Sequence, residues 1–226
     1  MTLEKLLGFR SSFNFVPLRY NVSKGLLEQL CKSGFEIGLH GLHHDGKLYK
    51  SRTIFRERAK IINEYLRQWD CVGFRSPSMH HNLEWLHELN ILYDSSTFDT
   101  DPFEPQPTGV GTIFPFDVCH DGGNKGYVEL PYTIPQDFTL FILMKEPNIK
   151  IWKRKLDWIA DNGGMALLNT HPDYMNFKHD KMTIDEYPSR HYSNFLEYVR
   201  TNYEGKYWHV LPRDIASFWT ERRVAG

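Results

Sequence analysis

Gly34-Phe35-Glu36-Ile37-Gly38-Leu39-His40-Gly41-Leu42-His43-His44-Asp45-Gly46 is the stretch on which the fold turns. Phe35, Ile37 and Leu39 alternate with Glu36 and Gly38, the period of a short strand. Glycines after Leu39 break any regular element. His40 therefore stands at a strand end and His44 in the turn that follows. Neutral imidazoles are the usual nitrogen ligands of a divalent transition metal, and a turn can aim two of them at one ion. A lone HxxxH is a weak signal in a chain with 11 histidines among 226 residues. His43 complicates it further, since adjacent histidines rarely aim at one ion. The weight comes from the surrounding chain.

Upstream, Met1 to Leu7 reads as a helix ended by Gly8, and Arg10 to Val16 as a strand closed by Pro17. Ser23 caps a helix running to about Lys32. Downstream, Ile54 to Trp69 carries Phe55, Ala59, Ile62 and Leu66 at helical spacing. Val72 to Phe74 is a brief strand, Leu83 to Leu89 a short helix, and Ile91 to Tyr93 a further strand. The Pro-, Gly- and Phe-rich segment to about Asp121 reads as an ordered loop insertion, followed by a strand at Tyr127 to Pro131. A helix at Ile149 to Ala160 stops at Gly163-Gly164, and the buried strand Met165 to Thr170 leads into His171. A helix around Tyr192 to Val199, a strand at Trp208 to Leu211 and a closing helix from Arg213 to Glu221 complete the chain.

Strands alternating with helices predict a parallel sheet with helices packed outside it, the α/β class. The apolar strands are short and nearly continuous, as in a sheet buried on both faces. Just past strand ends stand His40, Arg75, Asp94 and His171, on the edge where parallel α/β folds and barrels carry chemistry.

A length of 226 residues, 41% hydrophobic and 24% charged, suits one soluble globular domain spanning 1–226. Net charge of −1 gives no sign of a nucleic-acid partner. Cys31, Cys71 and Cys119 form no disulfide framework and suggest a reducing compartment. No window approaches a membrane span, and Met1 to Leu7 is too short and charged for a signal peptide. A cytoplasmic location is the expectation.

Taken in order, these segments resemble the polysaccharide deacetylases, the NodB-homology domains of carbohydrate esterase family 4. His40-Gly41-Leu42-His43-His44 resembles the family's His-Ser/Thr-x-x-His metal motif, with Gly41 in place of the hydroxyl residue. Arg75-Ser76-Pro77 resembles its Arg-x-Pro motif, with Ser78 following as in relatives that read R-A-P-S. Tyr93-Asp94-Ser95-Ser96 and Glu129-Leu130-Pro131 are similar to its Y-D-S-S and E-V/L-P phrases. Leu168-Asn169-Thr170-His171 resembles its final Leu-x-x-His. The likeness runs over about residues 9 to 175.

The resemblance implies a distorted seven-stranded (β/α) barrel. It also implies a first strand ending in paired acidic residues, which would lie upstream of Arg10 to Val16 and which this chain does not contain. The chain is thus expected to be N-terminally incomplete, or a natural form without the general base.

Carried over by position, His40 and His44 would be ligands of a divalent metal, zinc by expectation. His171 would be the general acid for the departing amine. Arg75 would hold the base, and Pro77 and Ser78 would contact substrate, with the Ser78 N–H a candidate oxyanion donor. Asp94 would orient His171, with Asp99 fitting the fourth motif's acid nearly as well and otherwise contacting substrate. Asp45 reads as a turn residue or as a substitute metal ligand. His80, His81, His87, His179, His191 and His209 are assigned to surface or packing, and His120-Asp121 to a turn.

The implied activity is metal-dependent removal of acetyl groups from N- or O-acetylated sugars of a polysaccharide or its precursor. The alternative is an impaired relative that binds acetylated carbohydrate or scaffolds a biosynthetic complex. An unrelated barrel hydrolase of the metal amidohydrolase kind would need further strand-end ligands that the sequence does not offer.

Overall fold

The computed structural model describes residues 1–101, 108–119, 126–178 and 181–225. His120-Asp121 and His179 lie outside the described residues. Strands β1 (Ser12–Phe15), β2 (Glu36–Leu39), β3 (Gly73–Phe74), β4 (Tyr93–Asp94), β5 (Phe116–Val118) and β6 (Tyr127–Glu129) form one sheet in the order β1-β2-β3-β4-β6-β5. Every pairing is parallel except β5 with β6. The expected α/β class holds. β5 lies in the segment expected to be loop, and it makes the sixth strand of an edge that the sequence pattern leaves blank.

Helices α1 (Thr2–Leu7), α2 (Lys24–Lys32), α3 (Arg52–Gln68) and α4 (Leu83–Leu86) precede and interleave the sheet, and α5 (Lys150–Asp161), α6 (Arg190–Tyr203) and α7 (Pro212–Ala225) follow it. The serine caps form: Ser23 Oγ accepts from Leu26 N–H and Ser51 Oγ from Ile54 N–H, each at 3.2 Å. In α3, Phe55, Ala59, Ile62 and Leu66 make a single buried stripe. That stripe packs with Leu39 and Phe74 into one core cluster. Truncating Phe55, which is fully buried, to alanine costs about 3–5 kcal/mol.

Strand alternation sorts side chains onto two faces. Leu39, Phe74, Asp94 and Glu129 are successive register partners, so they share the face on which α3 packs. Glu36, His40, Arg75, Tyr93, Ser95 and Val128 fall on the other. There Tyr93 O–H donates to Glu36 Oε1 at 2.8 Å and Arg213 N–H donates to Glu36 Oε2 at 3.1 Å, which seats the start of α7 beneath the sheet. Burial raises the Glu36 pKa. Gly73 leaves room for the Tyr93 ring, which lies 2.1 Å from where a Cβ would sit.

Past β6 the sheet continues through isolated bridges, Phe98 with Tyr132 and Ile134 with Leu168. The expected strand Met165 to Thr170 is reduced to that contact. The Thr133 hydroxyl takes the Leu167 N–H at 3.0 Å and donates to Met165 C=O at 2.7 Å, adding side-chain bonds to the backbone ones that Thr133 and Ile134 N–H make to Leu167 C=O. Trp208 to Leu211 is not a strand either. It is a covering loop with Trp208 57% exposed, and His209 Nε2 accepts the Arg10 N–H at 2.9 Å. A pair that sequence reading missed, β7 (Met175–Asn176) with β8 (Tyr187–Pro188), closes over a second core built on Phe141, Trp152 and Phe195. No helix among the described residues is long and apolar enough to cross a membrane.

Candidate active site

His40 leaves β2 with its backbone N–H on Phe15 C=O at 2.8 Å. Its Nδ1 lies 3.0 Å from the carbonyl oxygen of Arg75. A carbonyl only accepts, so Nδ1 carries the proton and Nε2 keeps a free lone pair. Burial, followed by the charge of His44, lowers the His40 pKa to about 3, so the ring is neutral at ordinary pH. The His44 ring centroid is 5.1 Å away, tilted by 59°. His44 has a left-handed backbone, φ 54°, an uncommon conformation for a residue with a side chain.

The turn between them requires Gly41. Its φ is +66°, and an added Cβ would lie 2.3 Å from Pro77 Cγ. The departure from a hydroxyl residue at this position therefore has a steric cause. Asp45 is not a substitute ligand: Arg58 Nη1 and Nη2 donate to its two oxygens at 2.7 Å each, and that pair lowers its pKa.

Arg75 follows β3, with its N–H on Leu39 C=O at 2.8 Å. The guanidinium is buried; Nη2 donates to Ser95 Oγ at 2.8 Å, and Nε has no hydrogen-bond partner among the described residues. Desolvation lowers the Arg75 pKa, opposed by the nearby acidic groups of Tyr93, Asp94, Glu129 and Tyr132. Beyond Arg75 a single 3₁₀ turn, Pro77–Met79, places Ser78 and Met79 at φ 56° and 55°. Two such residues in succession hold about 1–3 kcal/mol of strain each, the kind of cost that concentrates at functional sites. Pro77 is buried under Gly41, while Ser78 is exposed.

His171 is held by Asp137, which neither the residue pattern nor the resemblance singled out. Asp137 Oδ1 lies 2.7 Å from His171 Nδ1, and Oδ2 accepts the His171 N–H at 2.7 Å and the Tyr187 O–H at 2.9 Å. Burial is the main cause that lowers both the His40 and the His44 pKa, and His171 adds a smaller electrostatic contribution to each. The Tyr174 ring lies 5.2 Å from His171 and 5.4 Å from Phe138.

Both acids expected to orient His171 are engaged elsewhere. Asp94 points to the face on which α3 packs, where Oδ1 accepts the Ser96 O–H at 2.7 Å and the carboxyl lies against Glu129. Burial raises both acids, Glu129 far more, so Glu129 is the one that stays protonated. Glu129 Oε2 has no hydrogen-bond partner among the described residues. Asp99 is taken by Lys155 Nζ at 2.5 Å. Of the remaining histidines, His87 packs on Tyr127, His191 on Phe141 and His209 on Phe9.

Two oriented, neutral imidazoles fit a divalent transition ion as part of its ligand set. Among the described residues no group of three or more His, Cys, Asp or Glu side chains is placed to hold one.

No protein-family model and no curated protein matches the sequence. Solved structures do. A Mycobacterium smegmatis protein assigned as a polysaccharide deacetylase superposes with TM-score 0.73 at 18% identity, over 98% of this chain and 76% of that one. The allantoinase Puue gives 0.67 at 16%, over 96% and 70%. Peptidoglycan deacetylase PdaC of Bacillus subtilis gives 0.53 at 11%, over 99% and 84%. The chain accordingly has the NodB-type (β/α) barrel fold of the polysaccharide deacetylases. An allantoinase shares that fold, so the architecture alone does not fix the reaction.

Proposed function

We infer that the chain is a deacetylase-type hydrolase that removes acetyl groups from acetylated sugars of a polysaccharide or its precursor. What supports this reading is the His171–Asp137 pair together with the neighbouring rings of His40 and His44. His40 and His44 would hold a divalent metal, with zinc suited to imidazole donors. When bound, the ion supplies Lewis acidity and an activated water. Asp137 would hold one proton on His171 Nδ1, and the ring in its doubly protonated form would give its second proton, from Nε2, to the departing amine nitrogen. Arg75 places a fixed positive charge beneath the acyl group, and the turn at Ser78 directs a backbone N–H toward the developing oxyanion.

A second reading, carbohydrate binding without turnover, is favoured by the lack of a third metal-capable side chain near the two histidines among the described residues. Acetate release from chitooligosaccharides, measured after metal removal and zinc reloading, separates the two. Zinc-dependent release supports the hydrolase. Saturable sugar binding with no acetate supports the binder.

A further inference from the structure

Asp137 is fully buried, and donors meet both of its oxygens. Oδ1 accepts the Phe138 N–H at 2.8 Å and faces His171 Nδ1 at 2.7 Å. Oδ2 accepts the His171 N–H at 2.7 Å and the Tyr187 O–H at 2.9 Å. A carboxylate offers about four lone-pair sites, so these donors saturate it. The two backbone donors belong to Asp137's own chain neighbour and to His171 itself. The phenol comes from a different element, β8, which stands 50 residues further along the chain.

Tyr187 is seated without help from the carboxylate. Its ring is buried, with the Phe141 ring at 4.7 Å and the His191 ring stacked at 6.1 Å. β8 is fixed in turn by the pairing of Tyr187 with Met175 of β7. Burial, followed by the charge of Asp137, raises the Tyr187 pKa, so the phenol stays a neutral donor. A hydrogen bond to the charged form of a carboxyl stabilises that form and lowers its affinity for a further proton. The Tyr187 hydroxyl therefore draws on the same negative charge that Asp137 presents to the His171 Nδ1 proton.

We propose that Tyr187 is a positioning residue for the general acid and acts through Asp137. By sharing the carboxylate it limits how tightly the doubly protonated His171 ring is held, and so eases release of the Nε2 proton to the departing amine. The Nε2–H bond breaks as the amine N–H bond forms, while Asp137 stays ionised and Tyr187 neutral throughout. The proton transfer rests on the hydrolase reading above; the coupling of Tyr187 to His171 is a property of the free protein.

The test is proton NMR of the substrate-free chain, with acetate release followed in parallel. The His171 Nδ1 proton, bonded to a buried carboxylate, should give a resonance far downfield of the amides, identified by its loss in His171→Gln. Tyr187→Phe keeps the ring and leaves Asp137 its other donors, so the resonance should persist and move further downfield. Where acetate is released, kcat should fall about threefold to tenfold with KM unchanged, a fraction of what the general acid itself is worth. The same substitution should cost nothing further in an Asp137→Asn background, because the effect runs through the carboxylate. A resonance that is missing from wild type, or that stays put, moves upfield or vanishes in Tyr187→Phe, overturns the proposal. A Tyr187→Phe chain that does not fold overturns it as well, since the residue is then structural. Absent acetate release with the downfield shift intact removes the hydrolase reading alone.

Discussion

Asp137 grips His171 twice, at the backbone N–H and at Nδ1, each at 2.7 Å. The grip follows from parallel register. Ile134 pairs with Leu168, and Asp137 and His171 each stand three residues further along the two bridged segments. Two chain segments thus deliver an acid and an imidazole to the same level of the sheet edge.

Asp137→Asn keeps the shape but loses the acceptor that fixes the His171 tautomer. It should lower acetate release by about a hundredfold or more, with zinc content unchanged. Asp94→Asn acts on the opposite face and should leave turnover within the same order of magnitude. Steady-state kinetics on the two variants, side by side, checks the reassignment of the acid.

Gly41→Ser installs the hydroxyl residue that the family resemblance leads one to expect. In this chain the substitution meets Pro77 and a φ of +66°, and it should destabilise the protein by about 1–3 kcal/mol. Urea unfolding would show it. An unchanged midpoint would mean that the turn relaxes freely.

Among the described residues, Arg75 is a buried cation with one hydroxyl partner and an unpaired Nε. Such a group is kept at a cost to stability. Arg75→Met should leave the urea midpoint unchanged or higher while abolishing acetate release. A large loss of stability would instead make Arg75 a structural residue.

What could be read from the sequence had a periodic signal behind it. The β2 alternation, the glycines after it and the serine caps each impose a local geometry, so the His40–His44 turn and α3 were legible. Asp137 was not, because its role depends on the pairing of Ile134 with Leu168, two residues far apart in sequence whose register no local pattern encodes. Asp94 was misplaced for the same reason. Its position at a strand end was readable, but its face depends on its alignment with Phe74 and Leu39. The short segment at Trp208 to Leu211 has strand-like composition, yet its side chains serve as a cover over Phe9 and Arg10.

Acid should destabilise the fold through His40. Its folded pKa, about 3, lies below the ordinary 6.5, so the unfolded chain takes up the proton first. The stability contribution is complete above pH 6.5 and is lost as pH falls toward 3. Between pH 7 and pH 5 the loss amounts to at most about 2 kcal/mol. Urea midpoints at the two pH values should differ more for wild type than for His40→Gln.

The sharpest test of a shared mouth pairs zinc content with acetate release in His171→Ala and His40→Ala. His171→Ala should retain the zinc affinity of wild type while losing at least about a hundredfold in turnover, and His40→Ala should lose both. Full turnover in zinc-loaded His171→Ala, or zinc affinity indifferent to His40, would rule out a mouth shared by the three imidazoles.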